Sequence, residues 1–133
     1  MRFLGLTLIL CMLFSGDMVA QNKNTARKLF NEGKYEEAKP MFAKLLKSNP
    51  KNSEYSYWYA VCCFETGDTV EILPLLEFAA SRKIVNAYRY LGDYYLQKEK
   101  YPEAIGYFEE YIDMAKDDSL RQVYQKRAPS AGW

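Results

Sequence analysis

Lys34-Tyr35-Glu36-Glu37-Ala38-Lys39-Pro40-Met41-Phe42 is echoed by Lys100-Tyr101-Pro102-Glu103-Ala104-Ile105-Gly106-Tyr107-Phe108: Lys, Tyr, Glu, Ala and Phe return in the same order and spacing, 66 residues apart. That step is close to twice 34, the separation of Gly33 from Gly67 and of Pro40 from Pro74. Glu99 follows Gly67 by 32, and Gly106 follows Pro74 by 32, so one connection between units is shorter by two residues. Loops absorb such changes at small entropic cost. The chain therefore reads as three copies of one unit, and units of this length bury their apolar faces only by stacking on one another.

Each unit has the grammar of a helical hairpin. Ala26, Leu29 and Phe30 fall on one helical stripe, Gly33 supplies the backbone freedom for a turn, and Tyr35, Ala38, Phe42, Leu45 and Leu46 form a second stripe at steps of three and four. Small residues at Ala38 and Ala104 permit close helix approach, and Phe42 and Phe108 fill the neighbouring gaps. Ser48-Asn49-Pro50 ends the first unit, and Pro102 suits a first helical turn, where its missing N–H is not needed.

These residues resemble the tetratricopeptide repeat. The first unit has Gly33-x-Tyr35-x-x-Ala38-x-x-x-Phe42 with Pro50 as closing proline; the third has Leu91-Gly92-x-x-Tyr95 followed by Tyr101-x-x-Ala104-x-x-x-Phe108. The second departs most, with Ala60 and Gly67 in place but Thr69, Ile72 and Leu76 where the pattern has an aromatic, Ala and an aromatic, and Ile84 where it closes with proline. The resemblance implies an all-α fold: three tandem helix-turn-helix repeats, about 21–52, 53–84 and 85–116, stacked as a short right-handed superhelix. Residues 117–127 are expected to form a capping helix, since Asp117-Asp118-Ser119 makes a helix start and Leu120, Val123 and Tyr124 a short apolar stripe. Residues 128–133 have the composition of a flexible tail.

Composition narrows the chemistry. The chain has no histidine, which removes the commonest general base and metal ligand, and no spaced cysteine set for a metal. With 18 Lys and Arg against 17 Asp and Glu and no basic run, it lacks the footprint of a nucleic-acid binder. There is no glycine-rich phosphate loop, and Glu36-Glu37, Glu109-Glu110 and Asp117-Asp118 read as solvated polar faces rather than a converging acid–base pair. No enzyme, cofactor or metal is expected.

Met1-Arg2, the 12 mostly apolar residues from Phe3 to Phe14, the break at Ser15-Gly16-Asp17 and Met18-Val19-Ala20 before Gln21 read as a secretory signal peptide, residues 1–20, cleaved after Ala20. A membrane span wants about 20 apolar residues, and Leu10 before Cys11 argues against a lipidated leader. Cys62 and Cys63, adjacent on a helix, cannot readily bridge each other and read as small buried apolar residues. An exported chain without a disulfide framework fits a bacterial periplasm better than a eukaryotic secretory route.

The resemblance further implies that the first helix of each unit lines a concave groove. Its outward positions are Lys23, Arg27 and Asn31; Glu54, Tyr57, Val61 and Glu65; and Asn86, Arg89, Asp93 and Gln97. The expected partner-binding set is Arg27, Asn31, Tyr57, Val61, Asn86, Arg89, Asp93 and Gln97, with arginine forks for carboxylates or peptide carbonyls and Tyr57 as a rigid contact. Of the positions by which one subclass clamps chaperone tails, Lys23 matches, while Arg27, Trp58, Asn86 and Tyr90 do not. The arrangement resembles the N-terminal repeat module of larger Gram-negative envelope proteins that continue into a β-propeller or an OmpA-like domain. The implied function is an exported periplasmic adaptor, outer-membrane associated in the wider resemblance, binding a peptide or helix of an envelope protein. The alternatives are a self-associating assembly module and the amino-terminal part of a longer protein.

Overall fold

The computed structural model describes residues 22–129 and Trp133. The expected leader, residues 1–20, lies outside the described residues. Among the described residues the fold is all helical: α1 (22–31), α2 (Tyr35–Ser48), α3 (Ser53–Glu65), α4 (Ile72–Ser81), α5 (Val85–Gln97), α6 (Tyr101–Ala115) and α7 (Ser119–Arg127). Consecutive helices pack as hairpins and each hairpin packs on the next, giving a stacked, solenoid-like array.

Local chemistry sets the boundaries. Gly33 and Gly67 turn with φ of 74° and 82°, and Glu99 takes the equivalent place with φ of 57°, a left-handed conformation that a side chain disfavours. Asn49 closes α2 by donating from Nδ2 to the Leu45 carbonyl at 3.2 Å, and Asn52 caps α3 by accepting from the Tyr55 N–H at 3.1 Å. Asp117 holds the start of α7 by accepting from the Ser119 N–H at 3.1 Å.

The second hairpin departs from its neighbours. Position 69 is equivalent to Tyr35, the first residue of α2, yet α4 begins only at Ile72. Thr69 and Val70 are poor helix formers, and extending α4 backwards would set the Pro74 ring against the carbonyl of residue 70. α2 keeps its first turn despite Pro40, with Glu36 and Glu37 favourably placed at the positive end of the helix dipole. The connection thus freed carries Asp68, whose carboxylate meets Lys39 Nζ at 3.1 Å and ties the first two hairpins at their surface.

Inside each hairpin, a small residue on the first helix meets a large one on the second. Ala26, Ala60 and Gly92 occupy one register position, and Phe42, Leu76 and Phe108 the other; all are buried. The approach is tightest at Gly92, where a Cβ would overlap the edge of the Phe108 ring and stand 2.9 Å from its Cζ.

Between hairpins, the next first helix inserts two residues. Trp58 and Cys62 pack on the first hairpin, Tyr90 and Tyr94 on the second, and Tyr124 and Ala128 on the third. α7 therefore sits where the first helix of a fourth unit would. It differs on the opposite face: where Ala26, Ala60 and Gly92 receive a second helix, α7 carries exposed Lys126. At the other end, Asn24 and Lys28 stand exposed at the positions of Trp58 and Cys62. At these positions the two ends of the described array are polar, as caps of stacked repeats are, while beside Asn22 the residues Pro40, Met41 and Leu45 of α2 line an apolar hollow.

The expectation of a flexible tail over 128–133 is corrected at two positions. Ala128 is fully buried, and Trp133 packs against the third core cluster with Nε1 donating to the Ala128 carbonyl at 2.7 Å. Residues 130–132 of that expected tail lie outside the described residues. The apolar indole with its one donor accounts for the contact that Trp133 makes.

Two substitutions test this packing. Gly92→Ala should destabilise the fold by about 1–3 kcal/mol, since the close-packed Phe108 ring must shift. Glu99→Gly should stabilise it by about 1 kcal/mol by relieving the left-handed turn. Urea unfolding followed by far-UV circular dichroism reads both, and equal, small effects would show that neither contact limits the fold.

Candidate functional site

The first helices α1, α3, α5 and α7 lie side by side, and their side chains interlock across each boundary. Arg27 of α1 stacks over Trp58 of α3, 5.2 Å from the ring centre, and Lys23 lies 6.0 Å over Tyr55. Tyr57 of α3 meets Tyr90 of α5 at 6.2 Å between ring centres, and the Tyr90 hydroxyl donates to Glu65 Oε1 at 3.2 Å. Asp93 of α5 accepts from Arg127 of α7 at 2.6 Å. This row is the surface on which the expected partner-binding residues were placed.

The structure divides those residues. Arg27, Asn31, Asn86 and Gln97 are exposed on the row. Arg89 is half-buried with its guanidinium carbon 4.8 Å from the Tyr90 ring centre, and its Nε is buried without a hydrogen-bond partner. Val61 is fully buried and Tyr57 only 9% exposed, so their expected outward projection is corrected. α3 has a neighbour on either side as well as a second layer beneath, and Phe30 and Tyr90 close over these positions. Asp93 is engaged by Arg127 and only 15% of its side chain is exposed.

Arg127 belongs to the row although sequence reasoning omitted it. The signal was present: Arg127 follows Asp93 by 34 residues, the same step that relates Gly33 to Gly67. Its guanidinium also covers Phe108 and Tyr124, at 5.6 and 5.3 Å from their ring centres.

The electrostatics of the row centre on Arg89. Burial pulls its guanidinium down, but Tyr90, Tyr124, Asp93 and Tyr57 around it outweigh that and hold its pKa above the ordinary value. The orphan Nε is a cost of order 1–3 kcal/mol carried by the free protein. Asp93 is pushed above the usual carboxylate value by burial, against the charge and hydrogen bond of Arg127 and the charge of Arg89. Burial drives the Tyr90 hydroxyl up as well, against Arg89.

Two other features stand apart from the row. An apolar hollow of about 400 Å³ lies along α2 among Pro40, Met41, Lys44 and Leu45. It adjoins Asn22, and Lys44 is its one charged side chain. Cys62 and Cys63 are buried free thiols; burial and then Cys63 push the Cys62 thiol up to about 12. Among the described residues there is no group of three or more His, Cys, Asp or Glu side chains that could hold a metal, and no helix long and apolar enough to cross a membrane.

The family model described as anaphase-promoting complex, cyclosome, subunit 3 matches residues 31–111, well over half the chain. The chain belongs to this family. The match runs from the end of α1 into α6, so the family's helical-repeat domain is the stacked array itself, a tetratricopeptide-like module suited to protein–protein contact. A non-enzymatic scaffold fits both that family and the chemistry of the row. No curated protein matches the sequence.

Titration tests the row's charges. Folded Asp93 binds its proton more tightly than the unfolded chain, so its contribution to stability falls as pH rises from the ordinary carboxylate value of about 3.9 through the raised folded value. Asp93→Asn removes that fall. At neutral pH it should change stability by less than about 1 kcal/mol, because burial cost and the partly exposed Arg127 oppose each other. Denaturation of both proteins from pH 3 to 7 checks the sign. In a Cys11→Ser background, the two remaining thiols of the native protein should react with a disulfide reagent at pH 8 on the order of a thousandfold more slowly than after unfolding.

Proposed function

We propose that the chain is an exported adaptor of the cell envelope that holds a segment of a partner protein along the first-helix row. The observation that carries this reading is the set of exposed or half-exposed polar side chains, Arg27, Asn31, Asn86, Arg89 and Gln97, on one continuous surface. Three of these are amides able to satisfy an extended backbone, and two are guanidiniums resting against aromatic rings, which lowers the entropy lost on contact. The same surface offers no catalytic arrangement of side chains.

Export is supported by the leader-like order of Met1-Arg2, the apolar run from Phe3 to Phe14 and Met18-Val19-Ala20 before Gln21. A periplasmic rather than disulfide-dependent setting is supported by Cys62 and Cys63, both free and buried. A protein partner rather than end-to-end self-association is supported by the polar end faces at Asn24, Lys28 and Lys126.

Affinity recovery from an envelope fraction tests the surface. The triple substitution Arg27→Ala/Asn86→Ala/Arg89→Ala, with wild-type helix content, should lose the partners that the wild type retains. It leaves Tyr57 intact because that ring belongs to the core. Undiminished recovery by a folded triple variant would sink the row as the binding surface. For export, the intact mass of the protein isolated from cells should correspond to a chain beginning at Gln21, and retention of residues 1–20 would reject cleavage there.

A further inference from the structure

We propose that the row selects an acidic linear segment, with one carboxylate on Arg89 and a second, about six residues away, on Arg27. The inference rests on the row being the binding surface and adds the chemistry of its occupant. Four observations carry it.

Both guanidiniums are free of ion pairs among the described residues, whereas the row's acids are largely engaged within the fold. Asp93 is held by Arg127 at 2.6 Å and Glu65 by the Tyr90 hydroxyl at 3.2 Å; Glu54 stands exposed at the rim, in the first turn of α3. A neutral hydroxyl leaves the Glu65 charge in place, so the unpaired charges on the row are Lys23, Arg27 and Arg89 against Glu54 and Glu65, an excess of one positive charge. Arg89 is half-buried with no ion-pair partner, and a planar carboxylate suits the fork of its two terminal nitrogens, its Nε being buried out of a ligand's reach. Each guanidinium rests near a ring, Trp58 by Arg27 at 5.2 Å and Tyr90 by Arg89 at 4.8 Å, which restricts its freedom before a ligand arrives.

The spacing follows from the helices. α1 and α5 are two first-helix steps apart, roughly 20 Å at about 8–10 Å per step. An extended chain covers that in about six residues at about 3.3 Å each. Between the two arginines, Tyr57 and Val61 are buried in α3, so the middle of the row offers no fork to a third carboxylate. The exposed amides of Asn31, Asn86 and Gln97 remain for the peptide backbone.

A random 12-residue display library panned against the full chain tests the proposal. Recovered peptides should be enriched in Asp and Glu, commonly as pairs about six residues apart. Synthetic versions should lose at least about tenfold in affinity when their carboxylates become amides, when Arg89 becomes Gln, or when ionic strength is raised several-fold. The charge-reversed Arg89→Glu should in turn recover peptides enriched in Lys and Arg. Helix content and the unfolding midpoint of each variant establish that it is folded. Peptides without acidic enrichment whose binding falls with Asn86→Ala would overturn the acidic proposal while leaving the row as the binding surface. Peptides indifferent to every row substitution, or no recovered peptide at all, would overturn both.

Discussion

The close approach of a small residue to a large one inside each hairpin is the contact on which the rest depends. Ala26 against Phe42, Ala60 against Leu76 and Gly92 against Phe108 bring the two helices of a unit together, and all six positions are buried. Because the same pair recurs in each copy, the hairpins have the same handed shape and the first helices fall into one layer. The first-helix row exists because of that layering: Arg27, Arg89 and Arg127 sit on three different first-layer helices, α1, α5 and α7, and come to one surface because the helices of that layer stack in register. Protein interiors pack too densely for such a contact to be loosened without a shift of the whole helix.

Stacked repeats must also stop. A hairpin's outer face is apolar wherever another hairpin covers it, and this array changes those residues at its ends. Asn24 and Lys28 replace the aromatic and cysteine of α3, and Lys126 replaces the small residue that would admit another second helix. The cap helix does more than cover the core. Arg127 reaches from it to Asp93, so the element that ends the array also neutralises an acid on the row. Stability and the electrostatic character of the row are joined at that one side chain. Of the expected capping stripe, Leu120 and Tyr124 pack on the third hairpin but Val123 is 52% exposed, and Ala128 and Trp133 supply further apolar contact in its place.

Helix order and register were legible in the sequence because they rest on local signals: the recurring Gly or its substitute at the turn, the small and aromatic residues at fixed spacing, and the asparagine and proline after α2. Glu99 shows that the register is stronger than the residue, since the turn keeps its left-handed backbone without glycine. The late start of α4 was harder to see, because Thr69 and Val70 occupy helical register positions and only their weak propensity and Pro74 argue against a first turn there. The row was legible as a face but not as an exposure. Helical spacing tells which side of α3 Tyr57 and Val61 share with Glu65; it does not tell how far Phe30 and Tyr90 lean across from the adjacent helices. The available clue was that α3, reading Ser53-Glu54-Tyr55-Ser56-Tyr57-Trp58-Tyr59-Ala60-Val61-Cys62-Cys63-Phe64-Glu65, has almost no polar face, as befits a helix buried on every side.

That burial gives the middle copy its own place in the argument. A central helix with neighbours on both sides and a layer beneath has little surface left to vary, and its side chains are committed to packing. On the proposed reading, recognition is displaced to the flanking first helices, where α1 has one neighbour in the layer and α5 carries the half-buried Arg89. The divergence of the second copy from the other two is thus largely structural: its cysteines, its apolar helix and its shortened partner helix suit a position enclosed by the array. On the proposed reading, chemical selectivity lies instead in the two guanidiniums that the core leaves uncompensated. Neither has an ion-pair partner within the described fold, so a ligand carboxylate displaces no internal acid when it meets their terminal nitrogens; the buried Nε of Arg89 stays out of its reach.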